Sequence, residues 1–228
     1  MSEPKENSEH ARKSTVYVWD IPLRLFHWSL LAAVATSLFT AEFGPMSVHL
    51  ISGHVVLALL VFRLVWGFAG GRYARFAHFV KGPGTVIAYA RKLKSGIGAA
   101  HPGHNPMGGW SVLAMIAALS VQILTGLYAN DDILTEGPLA DTVTKATSDY
   151  LTYIHHLSSN AVYALIGLHV AAVAFYSHKG QRIVAAMITG RLSGTDAQGE
   201  DTAAKGSPVV ALVIAAAAAA LAYYVMGL

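Results

Sequence analysis

The chain has 228 residues, of which 54% are hydrophobic and 13% charged, with a net charge of +3 and no cysteine. A soluble domain carries about a quarter charged residues, so this composition points away from one. The missing cysteines exclude disulfides, Cys-ligated iron–sulfur clusters and covalent C-x-x-C-H haem attachment. The basic residues lie in loops between apolar runs rather than along one soluble, aromatic-rich face, which argues against nucleic-acid binding.

In chain order, residues 1–17 are polar and mixed in charge, with no apolar core. They read as a cytoplasmic tail and not as a cleavable signal peptide, so the first helix is expected to serve as an uncleaved insertion signal. Five apolar stretches follow, at 23–41, 48–69, 110–128, 152–177 and 208–228. A helix of ~20 apolar residues crosses a bilayer, and lipid leaves the backbone only helices or closed barrels. Period-two alternation is absent and 215–220 is a run of alanine, so the predicted fold is an all-α integral membrane protein. Residues 190–207 read as a polar linker, and 208–228 as an appended fifth helix with no ionisable residue but Tyr223 and Tyr224.

The loops predict orientation, because short cytoplasmic loops collect Lys and Arg. Residues 70–109 hold Arg72, Arg75, Lys81, Arg91, Lys92 and Lys94 and no acid, whereas 129–151 hold Asp131, Asp132, Glu136, Asp141 and Asp149 against Lys145 alone. The turn 42–47 has no basic residue, and the segment after the fourth stretch carries Lys179, Arg182, Arg191 and Lys205. The N-terminus is therefore expected inside, the acidic loop outside and the C-terminus outside.

Of the eleven histidines, His10, His78, His101, His104 and His178 fall in loops or at interfaces and read as solvated. His27, His49, His54, His155, His156 and His169 lie in or beside the spans, where ionisable residues are rare and usually functional. His155 and His169 are fourteen residues apart, about −40° in azimuth and ~21 Å along a helix, so they share a face at two depths. His156 and His169 differ by about 140°, as do His49 and His54. With the predicted topology, His27 matches the depth of His169, and His49 that of His155. Two imidazoles at each of two levels suit the bis-histidine iron of two haems b. Zinc wants three or four ligands at one point, and a proton relay needs no paired depths. Arg63, fourteen residues after His49, either pairs with a haem propionate at the inner level or snorkels to the interface.

These residues also carry a family resemblance. Trp19-Asp20-Ile21-Pro22-Leu23-Arg24-Leu25-Phe26-His27-Trp28 is similar to the opening of bacterial cytochrome b561 proteins and of the b-type cytochrome subunits of nickel–iron hydrogenases. His49 with Gly53 and Phe62-Arg63-Leu64-Val65-Trp66-Gly67 resembles their second helix. Gly103-His104-Asn105-Pro106-Met107-Gly108-Gly109-Trp110 and Thr125-Gly126-Leu127 resemble the start and end of their third, and His155 with His169 the fourth. The resemblance covers about residues 15–190. It implies a four-helix bundle holding two haems b, with His27, His49, His155 and His169 as axial ligands. The predicted pairs are His27/His169 and His49/His155. His54 stands where a Tyr or aliphatic residue is expected and His156 where a Glu is common, and the fifth helix lies outside the common core.

The expected organisation is a tail (1–17), a di-haem core (18–190), a linker (191–207) and a C-terminal helix (208–228), in a bacterial inner membrane. The expected activity is electron transfer between the quinone pool and a periplasmic partner, such as a c-type cytochrome or a hydrogenase-like subunit. The acidic outer loop is either a docking surface for a basic partner or simply solvated. A superoxide:quinone oxidoreductase, known within the resembled family, is the alternative; acidic outer loops disfavour an anionic substrate. A non-redox transporter or anchor would explain the spans but not the paired histidines. Sequence leaves open whether the chain has enzymatic activity of its own, and whether it forms a homodimer.

Overall fold

A computed structural model describes residues 15–94, 103–193 and 205–227. The chain is mostly helical: β1 (Thr15–Tyr17), α1 (Ile21–Phe43), α2 (Met46–Ala69), a 3-10 turn (Arg72–Ala74), α3 (Phe76–Phe79), α4 (Pro83–Lys94), α5 (Pro106–Gly126), a second 3-10 turn (Ala140–Thr142), α6 (Lys145–His178), α7 (Ile183–Thr189), β2 (Arg191–Ser193) and α8 (Pro208–Met226). Five of these, α1, α2, α5, α6 and α8, are long and apolar enough to cross a membrane. This is a multi-pass membrane protein, and large side chains such as Leu25, Phe39, Phe68, Leu168 and Leu212 lie exposed on its helices.

Local chemistry fixes where the helices start. Asp20 caps α1, its carboxylate accepting from the Leu23 N–H at 2.8 Å, with Pro22 in the first turn. Asn105 caps α5 through Gly108 N–H (2.8 Å), ahead of Pro106. Thr144 caps α6 and Ser207 caps α8. Each side-chain oxygen satisfies an N–H that the helix itself cannot. The chain turns after α1 and after α2 at Gly44 and Gly70.

Helix α1 packs along α2, α5 along α6, and α8 along α2. Between the α1/α2 and α5/α6 pairs, the backbone of α6 makes only sparse contact with α1 and α2. The bundle has a basic end, carrying the α2–α5 connection, and an acidic end, carrying the α5–α6 connection. The densest core lies at the basic end, around Trp19, Phe26, Phe62, Trp66 and Ala186. Trp66 is fully buried, and its indole N–H reaches the Asp20 carboxylate at 3.4 Å. Emptying such a site typically costs about 3–5 kcal/mol.

Three features differ from the sequence reading. Residues 15–17 and 191–193, read as tail and linker, pair as a short antiparallel ribbon, with Val16 opposite Leu192. Both of those side chains are buried in the basic-end core, which is why short polar-flanked segments order there. The rest of the expected tail (1–14) and of the linker (194–204) lies outside the described residues. Second, the basic loop 70–109 contains α4, whose half-buried face repeats at Val86, Tyr89 and Leu93 and packs on α5. Its spacing is helical, but its charges mask it from a hydropathy scan. Third, α6 begins seven residues before the expected 152, because hydropathy marks the apolar part of a helix and not its capped polar turns.

Candidate functional site

At the acidic end, His49 of α2 faces His155 of α6, with ring centroids 6.2 Å apart and planes near perpendicular. Each ring is held by a backbone carbonyl of a neighbouring helix. His49 Nδ1 lies 2.9 Å from Ser37 O, and His155 Nδ1 lies 2.9 Å from Gln122 O. A carbonyl only accepts, so both imidazoles carry their proton on Nδ1 and present Nε2 as a lone pair. The Gln122 amide approaches His155 Nε2 at 3.2 Å and is itself bound by Ser158 Oγ at 2.5 Å. Gly126 lets the His155 ring lie against α5: a Cβ there would come within 2.8 Å of Cε1. A cavity of about 260 Å³ opens beside the pair, lined by His49, His155, His54, His156, Gly53 and Asn130 among others.

The acidic connection roofs this end. Asn130 is buried and its amide donates to Ser148 Oγ (2.6 Å) and Asp149 (3.0 Å), while its N–H donates to Thr152 Oγ1 (3.0 Å). Lys145 bridges Asp132 and Asp149. Asp131 accepts from the N–H groups of Thr135, Ile133 and Leu134, at 2.8–2.9 Å. Those donors, Thr135 foremost, hold its carboxyl down at about 2.

At the basic end, His27 of α1 faces His169 of α6 with ring centroids 6.4 Å apart. His27 Nδ1 is buried without a hydrogen-bond partner. Arg63, at the same end on α2, is 2% exposed, its guanidinium 4.7 Å from the Phe76 ring centre and 5.7 Å from that of Phe79. Gly67 makes the first contact available, since a Cβ there would fall 2.0 Å from the Phe76 ring. Neither Nη of Arg63 has a hydrogen-bond partner. The nearby Asp20 carboxylate is engaged instead by Leu23 N–H, Trp66 Nε1 and Gly71 N–H. Of the two sequence alternatives for Arg63, snorkelling is the one its burial contradicts.

A family model described as prokaryotic cytochrome b561 matches residues 18–190. The chain belongs to the prokaryotic cytochrome b561 family. No curated protein and no solved structure matches it. As a member, this membrane cytochrome binds b-type haem and acts in electron transfer with redox partners.

The structure brings together both histidine pairs that spacing and depth selected, with the members of each on different helices. His54, set aside on azimuth, is nevertheless buried in the wall of the acidic-end cavity. Its Nδ1 donates to Leu50 O at 2.7 Å, and its buried Nε2 has no partner. His156 lines the same cavity from an exposed position. The reading of His104 as a solvated loop residue is corrected. Its ring is wedged between Trp19 (4.7 Å) and Phe79 (4.8 Å), and Nδ1 is buried with no partner. Loss of solvent, and then the Arg63 charge, push its pKa down to about 3. The missed signal was its place immediately before an Asn-Pro helix cap, which leaves it little room to point away from the bundle. His178 is exposed as expected, His78 stacks edge-on to Tyr73, and His10 and His101 lie outside the described residues.

Proposed function

We propose that this cytochrome carries two haems b within the four-helix core formed by α1, α2, α5 and α6. The ligand pairs are His27/His169 at the basic end and His49/His155 at the acidic end. The observation that carries this reading is the pair of ring separations, 6.4 and 6.2 Å, at two depths of one continuous helix. An imidazole nitrogen lies about 1.1 Å from its ring centre and a metal–imidazole bond is about 2.0 Å long. Two histidines that held one metal between them would stand at about the separation seen in both pairs. The Nδ1 bonds to the Ser37 and Gln122 carbonyls support the reading further, because ligating histidines are usually fixed by such a bond on the other nitrogen. Nε2 of His155 would then exchange the Gln122 amide for the iron. The backbones of α6 and of the α1/α2 pair stand apart, so long side chains, the histidines among them, bridge the interval.

Held by these pairs, haem b would supply one-electron redox chemistry. The protein holds the imidazoles in register at both levels, about 21 Å apart along α6, and surrounds them with apolar helix. Arg63 offers its two unpartnered Nη groups to a carboxylate of the basic-end haem, which offsets the several kcal/mol that a buried, unpaired guanidinium costs. Helix α8 packs along α2, in keeping with an anchor appended to the core, and the β1–β2 ribbon ties the two ends of that core together.

The electron path joins the quinone pool to a periplasmic partner such as a c-type cytochrome or a hydrogenase-like subunit. The N-terminus and the basic end face the cytoplasm of a bacterial inner membrane, in line with the distribution of Lys and Arg, and the acidic end faces out. Pyridine haemochrome analysis of purified protein should give two haems b per chain, falling to one in His169→Ala and to one in His155→Ala. Two haems retained in either variant would refute that ligand pair.

A further inference from the structure

Three buried nitrogens at the basic end have no partner: both Nη atoms of Arg63 and Nδ1 of His104. They cluster around the Phe79 ring. The Phe79 ring lies 5.7 Å from the Arg63 guanidinium carbon and 4.8 Å from the His104 ring, and Trp19 closes the other side of His104 at 4.7 Å. Arg63, His27 and His169 all lie within electrostatic range of His104, which puts the group at the same end of the bundle as that histidine pair. The segment is stiffly held. Asn105 caps α5 and donates its amide to Tyr176 Oη of α6 at 3.0 Å, and Tyr176 Oη lies 3.3 Å from Tyr89 Oη of α4. The acid within electrostatic reach, Asp20, is already occupied by three other donors.

A buried guanidinium left without an acceptor is rare and costly, and a cation among aromatic rings remains short of an anion. We infer that Arg63 and His104 together form a carboxylate site, and that its ligand is a propionate of the haem held by His27 and His169. This rests on the haem assignment above and adds His104 as a binding residue outside the four axial ligands. Arg63 supplies charge and two N–H groups. His104 supplies one N–H beside the same Phe79 ring, and the Asn105–Tyr176–Tyr89 chain keeps its ring from turning away. The four residues His104 to Met107 thereby do two jobs, capping a membrane helix and presenting a donor to the cofactor.

The test measures release of haem from the purified holoprotein to a soluble haem scavenger. The basic-end phase is identified as the one absent from His169→Ala. In His104→Phe the ring sandwich with Trp19 and Phe79 is preserved and the donor is lost. Release in that phase should be about tenfold faster, the usual weight of a hydrogen bond to a charged group, while the other phase is unchanged and His104→Gln falls nearer to wild type. Wild-type protein loaded with haem whose propionates are methyl esters checks the same bond without a mutation, and its basic-end phase should accelerate at least as much. If His104→Phe releases haem at the wild-type rate, or the ester is held as tightly as free-acid haem, His104 is only a packing ring and the carboxylate site is refuted. If His169→Ala removes no phase at all, it is the haem assignment that fails.

Discussion

The two histidine pairs have nearly the same separation but different surroundings. At the acidic end both imidazoles are fixed by backbone carbonyls, Ser37 and Gln122, and a tied-down connection roofs the cavity beside them. At the basic end His27 Nδ1 has no partner, and the neighbourhood instead supplies a buried guanidinium and a third imidazole. One site orients its rings through the main chain; the other is rich in groups that answer a ligand's charge. On the di-haem reading this makes the acidic-end pair pre-organised, with more electron-rich imidazoles. The basic-end pair depends more on what the cofactor's carboxylates bring. Two centres built this way should differ in potential even though their axial ligands are the same residue type.

The sharpest way to break the comparison is to remove one pair's support and leave the other intact. Gly126→Val places a branched side chain where the His155 ring already lies within 2.8 Å of a hypothetical Cβ. It should displace that ring and lower haem content from two to about one per chain, read by pyridine haemochrome. The basic-end signal should be retained. Loss of both haems, or of neither, would mean that the two sites are not independently supported. A smaller effect is expected from Arg63→Met. Removing a buried positive charge favours the more positive ferric state, so the basic-end potential should fall by roughly 60–120 mV, one to two tenfold steps for a one-electron couple. Redox titration should show the acidic-end potential unmoved. An equal shift in both haems would show that Arg63 acts through the fold and not on one site.

Much of this arrangement is legible in the chain because it rests on local pattern. Apolar length marks the five spans, although the helices capped by Asp20, Asn105 and Thr144 start two to seven residues ahead of the apolar stretches. The fourteen-residue spacing of His155 and His169 survives as a shared face because α6 is unbroken between them. What could not be read depends on contacts between distant segments. His104 looks like a loop residue until Trp19 and Phe79 close on it from other parts of the chain. The ribbon joining residues 15–17 to 191–193 has no local signature, since three-residue strands are specified by the core they cover. His54 was judged by helical azimuth alone, whereas the cavity is wide enough for its wall to include a second face of α2.

The smallest expected effect separates the two ends by acid. Asp131 secures the roof of the acidic-end site by accepting three backbone N–H groups, and its pKa is held near 2, below the ordinary carboxylate value. A carboxyl whose folded pKa is depressed contributes stability that is complete above its unfolded pKa, near 3.9, and disappears as pH falls through the folded one. Asp131→Ala should therefore lower the thermal midpoint at pH 7 by a small amount, on the order of 1–2 °C for an exposed position in a chain of this length. The gap to wild type should stay constant down to about pH 4 and close towards pH 2. Taking the difference between the two proteins cancels any effect of acid that is common to both. A gap that persists unchanged at pH 2 would mean that the side chain acts through packing and not through its charge. The basic end provides the control: its buried carboxylate, Asp20, is the same in both proteins, so the signal assigned to that end should respond to acid identically in both.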